Sequence, residues 1–342
     1  MLTKHRLLTP GPTPLPERVR LVMAQDMIHH RKPAFKAVMS EVKDGLAKLF
    51  GTEQPVLPLC SSGTGAMVAA VNNLFVPGEK VLVVEGGKFG ERWTEIARAR
   101  GLEVVILKVE WGSGVAPAAV RDALAAAPGI RGVLIQHSET STGAQHPVEQ
   151  VAAITASTPV LLVVDGISAV SITPCPMDEW GIDCLLTGSQ KGLMLPPGLA
   201  LIALSDKAWK KAETLPDADF YFNLRKERDN NAKGQTNFTT PVSLIVGLAE
   251  SLRLFAEIGT DKVFLKQWAL TMMARKGVEA LGLTLFAPKD FAWGLTSVLL
   301  PAGVDSSRLL SHAAQKYGVV MAAGQGELKN RMVRIGHMGW LD

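Results

Sequence analysis

Lys191 is the residue in this sequence whose setting points most directly to covalent chemistry. It stands in Gly188-Ser189-Gln190-Lys191-Gly192, after the apolar segment Cys184-Leu185-Leu186-Thr187 and before Leu195-Pro196-Pro197-Gly198. An exposed lysine usually keeps company with other charges on a helix face. Small residues, a glutamine and a run that should be packed surround this one. Burial lowers an ammonium pKa and frees the amine to condense with a carbonyl as a Schiff base. Taken alone, the same pattern also fits a lysine in a surface loop after a strand.

Other positions offer matching chemistry, each beside a plainer reading. Ser61-Ser62-Gly63-Thr64-Gly65-Ala66-Met67 opens an Ala-rich helix, so backbone N–H groups and the positive dipole end converge where a phosphate fits, with the Thr64 hydroxyl as an added donor. The alternative is an ordinary helix cap; the run is neither a Walker A motif nor Gly-x-Gly-x-x-Gly. Asp165 follows Leu161-Leu162-Val163-Val164 and so sits at the carboxyl edge of a sheet, where open α/β folds bind ligands. A protonated pyridine nitrogen is one partner for it; an N-cap or ion pair is the other. Phe89, in Glu85-Gly86-Gly87-Lys88-Phe89-Gly90, lies in a loop after a strand and either stacks on a heteroaromatic ring or fills the core. Arg334 in Val333-Arg334-Ile335-Gly336 either grips a substrate carboxylate in bidentate fashion or makes a structural salt bridge.

These residues need a scaffold, and the hydrophobic pattern supplies one. Short apolar runs at Val81–Val84, Val104–Val109, Gly132–Gln136, Val160–Val164, Cys184–Thr187 and Ala200–Leu204 alternate with helical stretches at Pro33–Phe50, Gly65–Leu74, Glu91–Arg100, Pro117–Ala126 and Val148–Ala156. The pattern predicts an α/β fold with a mostly parallel sheet covered by helices on both faces. Residues 206–240 are polar and read as an irregular crossover. Helices from Pro241 to Ile258 and from Lys262 to about Leu281, a strand at Thr296–Leu300, a helix at Ser306–Tyr317 and a strand at Met332–Ile335 predict a small α+β unit. The division expected is an extended proline-rich arm over residues 1–18, a large domain over 19–250 and a small domain over 251–342.

Bulk properties exclude several classes. A chain of 342 residues, 47% hydrophobic and 20% charged, is a globular protein with a large core. Its net charge of +4 is spread over the chain without a basic run interleaved with aromatics, which argues against nucleic-acid binding. The 3 cysteines lack metal-type spacing, so no disulfide framework or metal site is expected, and a reducing cytoplasm fits. No segment reads as a membrane span, since Val160–Val164 is interrupted at once by Asp165.

Taken together and in this order, the motifs resemble the class V pyridoxal-phosphate aminotransferases, in particular the alanine–glyoxylate and serine–pyruvate group. The resemblance runs from Thr9-Pro10-Gly11-Pro12-Thr13 to Arg334-Ile335-Gly336 and is carried by Ser62-Gly63-Thr64-Gly65-Ala66, Glu139-Thr140-Ser141-Thr142-Gly143, Val164-Asp165-Gly166 and Gly188-Ser189-Gln190-Lys191. It implies fold type I with a seven-stranded mixed sheet. Pyridoxal 5'-phosphate would then be the cofactor, with Lys191 forming the Schiff base and carrying a proton between substrate Cα and cofactor C4′. Asp165 would hold the pyridine nitrogen, Phe89 the ring face and Ser141 the phenolic oxygen; Thr64, Gly65, Ala66 and Gln190 would bind the phosphate, and Arg334 the substrate carboxylate. Relatives of this kind are homodimers with shared sites, which implies that Thr239, in Thr236-Asn237-Phe238-Thr239-Thr240-Pro241, reaches the neighbouring subunit's phosphate.

The sequence also departs from that pattern. Phe89 stands where a Trp or Tyr is common, Thr236 stands where some relatives have Tyr, and the sequence stops at Trp340-Leu341-Asp342 where relatives continue into a further helix. His30 or Arg31 faces the substrate or packs at a helix start. The implied reaction moves an amino group from a small amino acid, alanine or serine, to a 2-oxo acid, glyoxylate or pyruvate. Ureidoglycine–glyoxylate transamination or lyase chemistry on the same cofactor, and a noncatalytic subunit on the same fold, are the alternatives. A desulfurase would need a nucleophilic cysteine well after Lys191, and none follows Cys184.

Overall fold

The computed structural model describes residues 6–217 and 219–341. Seven strands build the main sheet: β1 Leu57–Ser61, β2 Lys80–Glu85, β3 Glu103–Lys108, β4 Ile130–Gln136, β5 Leu161–Asp165, β6 Cys184–Gly188 and β7 Gly198–Leu204. Their order across the sheet is β1-β7-β6-β5-β4-β2-β3. Only β7 runs antiparallel to its neighbours, which makes the sheet mixed, as expected.

Register brings the chemistry to one edge. Gln136 pairs with Asp165 and Asp165 with Leu186, so β4, β5 and β6 end nearly level. Ser61 pairs with Gly198, and Gly188 with Ala200, which sets the end of β1 and the β6–β7 connection at that same carboxyl edge. Lys191 lies three residues beyond β6 and Thr64 three beyond β1. The strand pattern therefore aims both at one place, as doubly wound sheets do with their ligands.

Alternate strand residues feed opposite sides: Leu82 and Val84 pack in one core cluster, Val81 and Val83 in the other. The helices covering the faces follow the apolar periodicity closely, with Pro33–Phe50 and Pro117–Ala126 bounded as read from the sequence. Each carries proline in its first turn, where the missing N–H costs nothing.

Three expectations change. Strand β1 contains Pro58 and was not among the strand candidates; as an edge strand it tolerates a residue that cannot donate to the ladder. Residues 206–240 are not one irregular crossover: Asp206–Thr214 and Leu224–Asn231 are helices, capped by Ser205 and Asn223 side chains. Phe89 is not in a loop, because the helix Lys88–Ala99 begins one residue before it.

Beyond the helices Val242–Ile258 and Thr260–Ala280, a four-stranded antiparallel sheet holds Leu295–Leu299 beside Met332–Gly336. The amino-terminal segment joins it: Arg6–Leu7 pairs with Val319–Val320, and Gly336 N–H donates to Leu8 O at 2.7 Å. From there the arm crosses toward the main sheet. Among the described residues no helix is long and apolar enough to cross a membrane.

Candidate active site

Lys191 is buried, with 8% of its surface exposed. Its loop is held rigidly, since Ser189 Oγ donates to Pro196 O at 2.6 Å and Ser189 N–H to Leu199 O at 2.9 Å. The arm closes over the lysine: Thr13 Oγ1 donates to Lys191 O at 2.8 Å, and Lys191 Nζ donates to the Pro10 carbonyl. Gly11 can lie there only because it has no side chain, as a Cβ would stand 2.6 Å from Lys191 Cδ, Cε and Nζ. Burial pulls the amine down to about 8, the Arg334 charge pulls the same way, and Asp165 opposes them. At neutral pH the free amine is still the minor form, but its share is far larger than for an ordinary lysine, which favours nucleophilic attack.

Asp165 is 4% exposed and accepts from Ile167 N–H at 2.8 Å. Burial lifts its carboxyl to about 7, against the Ile167 hydrogen bond and the pull of Lys191 and Arg92, with Glu139 adding to the rise. A carboxylate in that state is stabilised by a partner that shares or holds a proton. Ser141 is fully buried as well, donating to Glu139 Oε1 at 2.5 Å and accepting from Lys88 N–H at 3.0 Å. The Phe89 ring faces the Arg92 guanidinium at 4.7 Å, and Arg92 Nη1 donates to Thr64 Oγ1 at 3.1 Å. Phe89 and Arg92, three residues apart on one helix, thus share a face directed at Thr64.

The helix Gly63–Leu74 begins at Ser62 with no side-chain cap. Its Gly65 and Ala66 N–H groups turn to the Ser62 carbonyl at 2.8 and 3.4 Å. The Gly63 and Thr64 N–H groups, at the first two helical positions, have no partner within the helix and form the stronger anion-binding pair. Gln190 has a buried Oε1 with no hydrogen-bond partner. An uncapped helix start and an arginine beside it together fit a phosphate group, while the Gln190 Oε1, an acceptor, leaves only its amide NH2 for such a ligand.

Arg334 is 7% exposed, and its guanidinium donates to two carbonyls, Ala323 O and Thr140 O, each at 2.9 Å. Burial lowers its pKa and Glu139 is the carboxylate that acts against this. None of the salt bridges formed among the described residues involves Arg334, so the structural ion pair is not its role. A buried guanidinium bonded only to carbonyls suits an incoming carboxylate.

Thr239 is not brought to Lys191 within the chain. It lines a small cleft with Cys60, Tyr221 and Thr240. Arg31 is turned away as well, bonding Gln235 Oε1 at 2.7 Å and Thr236 O at 3.1 Å, which braces the Thr239 loop. The sequence reading missed three groups that the structure brings to this region: Glu139, Arg92 and the Pro10 carbonyl. Arg92 was within reach through its spacing from Phe89. The Pro10 contact, spanning 181 positions in sequence, carried no local signal.

The family model described as aminotransferase class-V matches residues 12–339. The chain belongs to the class V aminotransferases. This aminotransferase is 36% identical, over 100% of its length and 90% of the relative's, to a Synechococcus protein called the small subunit of a soluble hydrogenase. It is 36% identical, over 99% of its length and 87% of the relative's, to the serine–glyoxylate aminotransferase of Methylorubrum extorquens. A solved aspartate aminotransferase of subgroup IV from Thermus thermophilus superposes with a TM-score of 0.92 at 34% identity, covering 98% of this chain and 94% of that one. The enzyme is therefore a transaminase of the pyridoxal-phosphate class.

Proposed function

We propose that this aminotransferase moves the amino group of a small amino acid, alanine or serine, to glyoxylate or pyruvate, using a Schiff base at Lys191. The observation that carries the reading is the buried Lys191 amine, lowered to about 8 and acted on by both Arg334 and Asp165. Pyridoxal phosphate, when bound, supplies an aldehyde for that linkage and a conjugated ring that accepts the electron pair released at the substrate Cα. Its residues divide the remaining work. Lys191 Nζ takes and carries the Cα proton, and Asp165 keeps the ring nitrogen protonated. Phe89 would flank the ring face, and Ser141, held by Glu139, would stand beside the phenolic oxygen. The free N–H groups of Gly63 and Thr64 would receive the phosphate, with Gly65, Ala66 and Gln190 beside it and Arg92 adding charge, and Arg334 would grip the substrate carboxylate.

A small uncharged donor side chain follows from the charges. The cations that weigh on the Lys191 amine are Arg334 and then Arg92. Arg334 is assigned to the carboxylate common to all the substrates, and Arg92 is engaged with Thr64 and Phe89. Among the described residues no other cation acts on the Lys191 amine, which favours a donor without a second carboxylate. The working form is a homodimer in which Thr239, braced by Arg31, completes the partner's phosphate site.

A panel of amino donors assayed with glyoxylate and pyruvate tests the substrate class, with alanine or serine expected to exceed aspartate in kcat/KM. The reverse order would overturn the donor assignment. For Arg334→Ala, KM for donor and acceptor should each rise roughly 100-fold, about 3 kcal/mol, with cofactor affinity retained. Unchanged steady-state kinetics would remove Arg334 from the carboxylate role.

A further inference from the structure

Glu139 is a fully buried carboxylate to which no step above assigns a role. Its Oε2 accepts from Phe89 N–H, Gly90 N–H and Gln136 Nε2, each at 3.1 Å. Its Oε1 accepts from Ser141 N–H at 3.1 Å and Ser141 Oγ at 2.5 Å. Phe89 and Gly90 lie in the first turn of the helix Lys88–Ala99, whose free N–H groups and dipole favour an anion. Burial raises the Glu139 carboxyl above its ordinary range, and these hydrogen bonds work against that rise. So many donors around one desolvated group make a rigid knot.

We propose that Glu139 is a positioning residue for the cofactor ring: its carboxylate ties the turn carrying Ser141 to the helix start carrying Phe89 and fixes the spacing of these two walls. The inference rests on the roles proposed above for Phe89 and Ser141. The walls touch directly, since a Cβ on Gly87 would lie 2.5 Å from both Glu139 Cδ and Ser141 Oγ. Ser141 Oγ in turn accepts from Lys88 N–H at 3.0 Å, which closes the knot on the helix side.

Both carboxylate oxygens are needed as acceptors, because donors face each of them. In Glu139→Gln, the amide NH2 must point either at Ser141 N–H or at the Phe89 and Gly90 N–H groups. One wall is then released whichever way the amide turns. In Glu139→Asp the charge is kept but the side chain is one methylene shorter, so it can hold one wall only. The N–H groups of the phosphate cradle lie on a different helix, Gly63–Leu74, to which Glu139 makes no bond, and Arg92, which adds charge there, stands beyond the first-turn N–H groups that Glu139 holds.

The test uses the full chain freed of cofactor, as wild type, E139Q and E139D, and measures thermal midpoint and the affinities for pyridoxal 5'-phosphate and for inorganic phosphate. We expect cofactor affinity to fall at least tenfold, about 1.4 kcal/mol, in both variants, with phosphate affinity kept within about twofold. Three results would overturn the proposal: folded variants with wild-type cofactor affinity, an equal loss of phosphate affinity that marks general loosening, or failure of both variants to fold. A wild-type chain that does not bind pyridoxal phosphate would sink the underlying reading, and this inference with it.

Discussion

Lys191→Ala is expected to lower kcat for transamination by at least about 10^4-fold, the upper range for loss of a positioned acid–base group, and to do so with every donor. Two functions vanish together, the covalent attachment and the proton transfer at Cα. Nothing nearby replaces them: the polar group next to Nζ is the Pro10 carbonyl, which has no proton to give. The substitution leaves the fold largely intact. Thr13 bonds the main-chain carbonyl of Lys191 rather than its side chain, and the Ser189 bonds that shape the loop are untouched. Kinetics with the donor panel measure the loss, and thermal unfolding checks the fold. A small amine added to the assay should restore part of the rate, because the missing element is a base. A variant that keeps more than a few per cent of wild-type turnover would remove Lys191 from the chemistry.

Asp165→Asn is expected to cost about 10^3-fold in kcat, within the range for a group that holds a proton in the transition state. The amide still accepts from Ile167 N–H, so β5 and the turn after it keep their geometry, but the charge is gone. Burial has already lifted this carboxyl to about 7, which means the ionised form is costly unless a cation stands against it. A protonated ring nitrogen is such a cation, and each charge offsets the desolvation of the other. An asparagine cannot keep that proton in place, and the ring then draws the Cα electron pair less strongly. Steady-state kinetics at saturating cofactor separate this from a binding loss. A fall of less than tenfold in kcat would mean that Asp165 only caps its turn.

Much of this was legible in the sequence, for identifiable reasons. Short β-rich runs such as Leu161–Val164, bounded by turn signals, suit buried strands, and a strand ending in Asp165 places that residue at the ligand edge. Lys191 was legible because a charge among small and packed residues conflicts with a surface role. Strand β1 was obscured by Pro58, which edge position excuses. The helix Leu224–Asn231 was obscured by its polarity, for it buries only Leu224, Glu227 and Asn231. Its Asn223 cap, like Ser205 before Asp206–Thr214, was the available signal. Glu139 stayed hidden within a recognised motif because a glutamate beside Ser and Thr reads equally as a surface or capping residue; its importance comes from helix Lys88–Ala99, which sequence distance separates from it. The assignment of Thr239 depends on a second subunit and so on no feature of one chain.

The central claim is that Lys191 is the residue joined to the cofactor. Borohydride reduction of the pyridoxal-phosphate-loaded enzyme, followed by proteolysis and mass spectrometry, reads it directly. The reduced cofactor should be found on the peptide containing Lys191, with Lys191→Ala giving no labelled peptide. A label on another lysine, or an unmodified Lys191 in an enzyme that is loaded and active, would contradict the account.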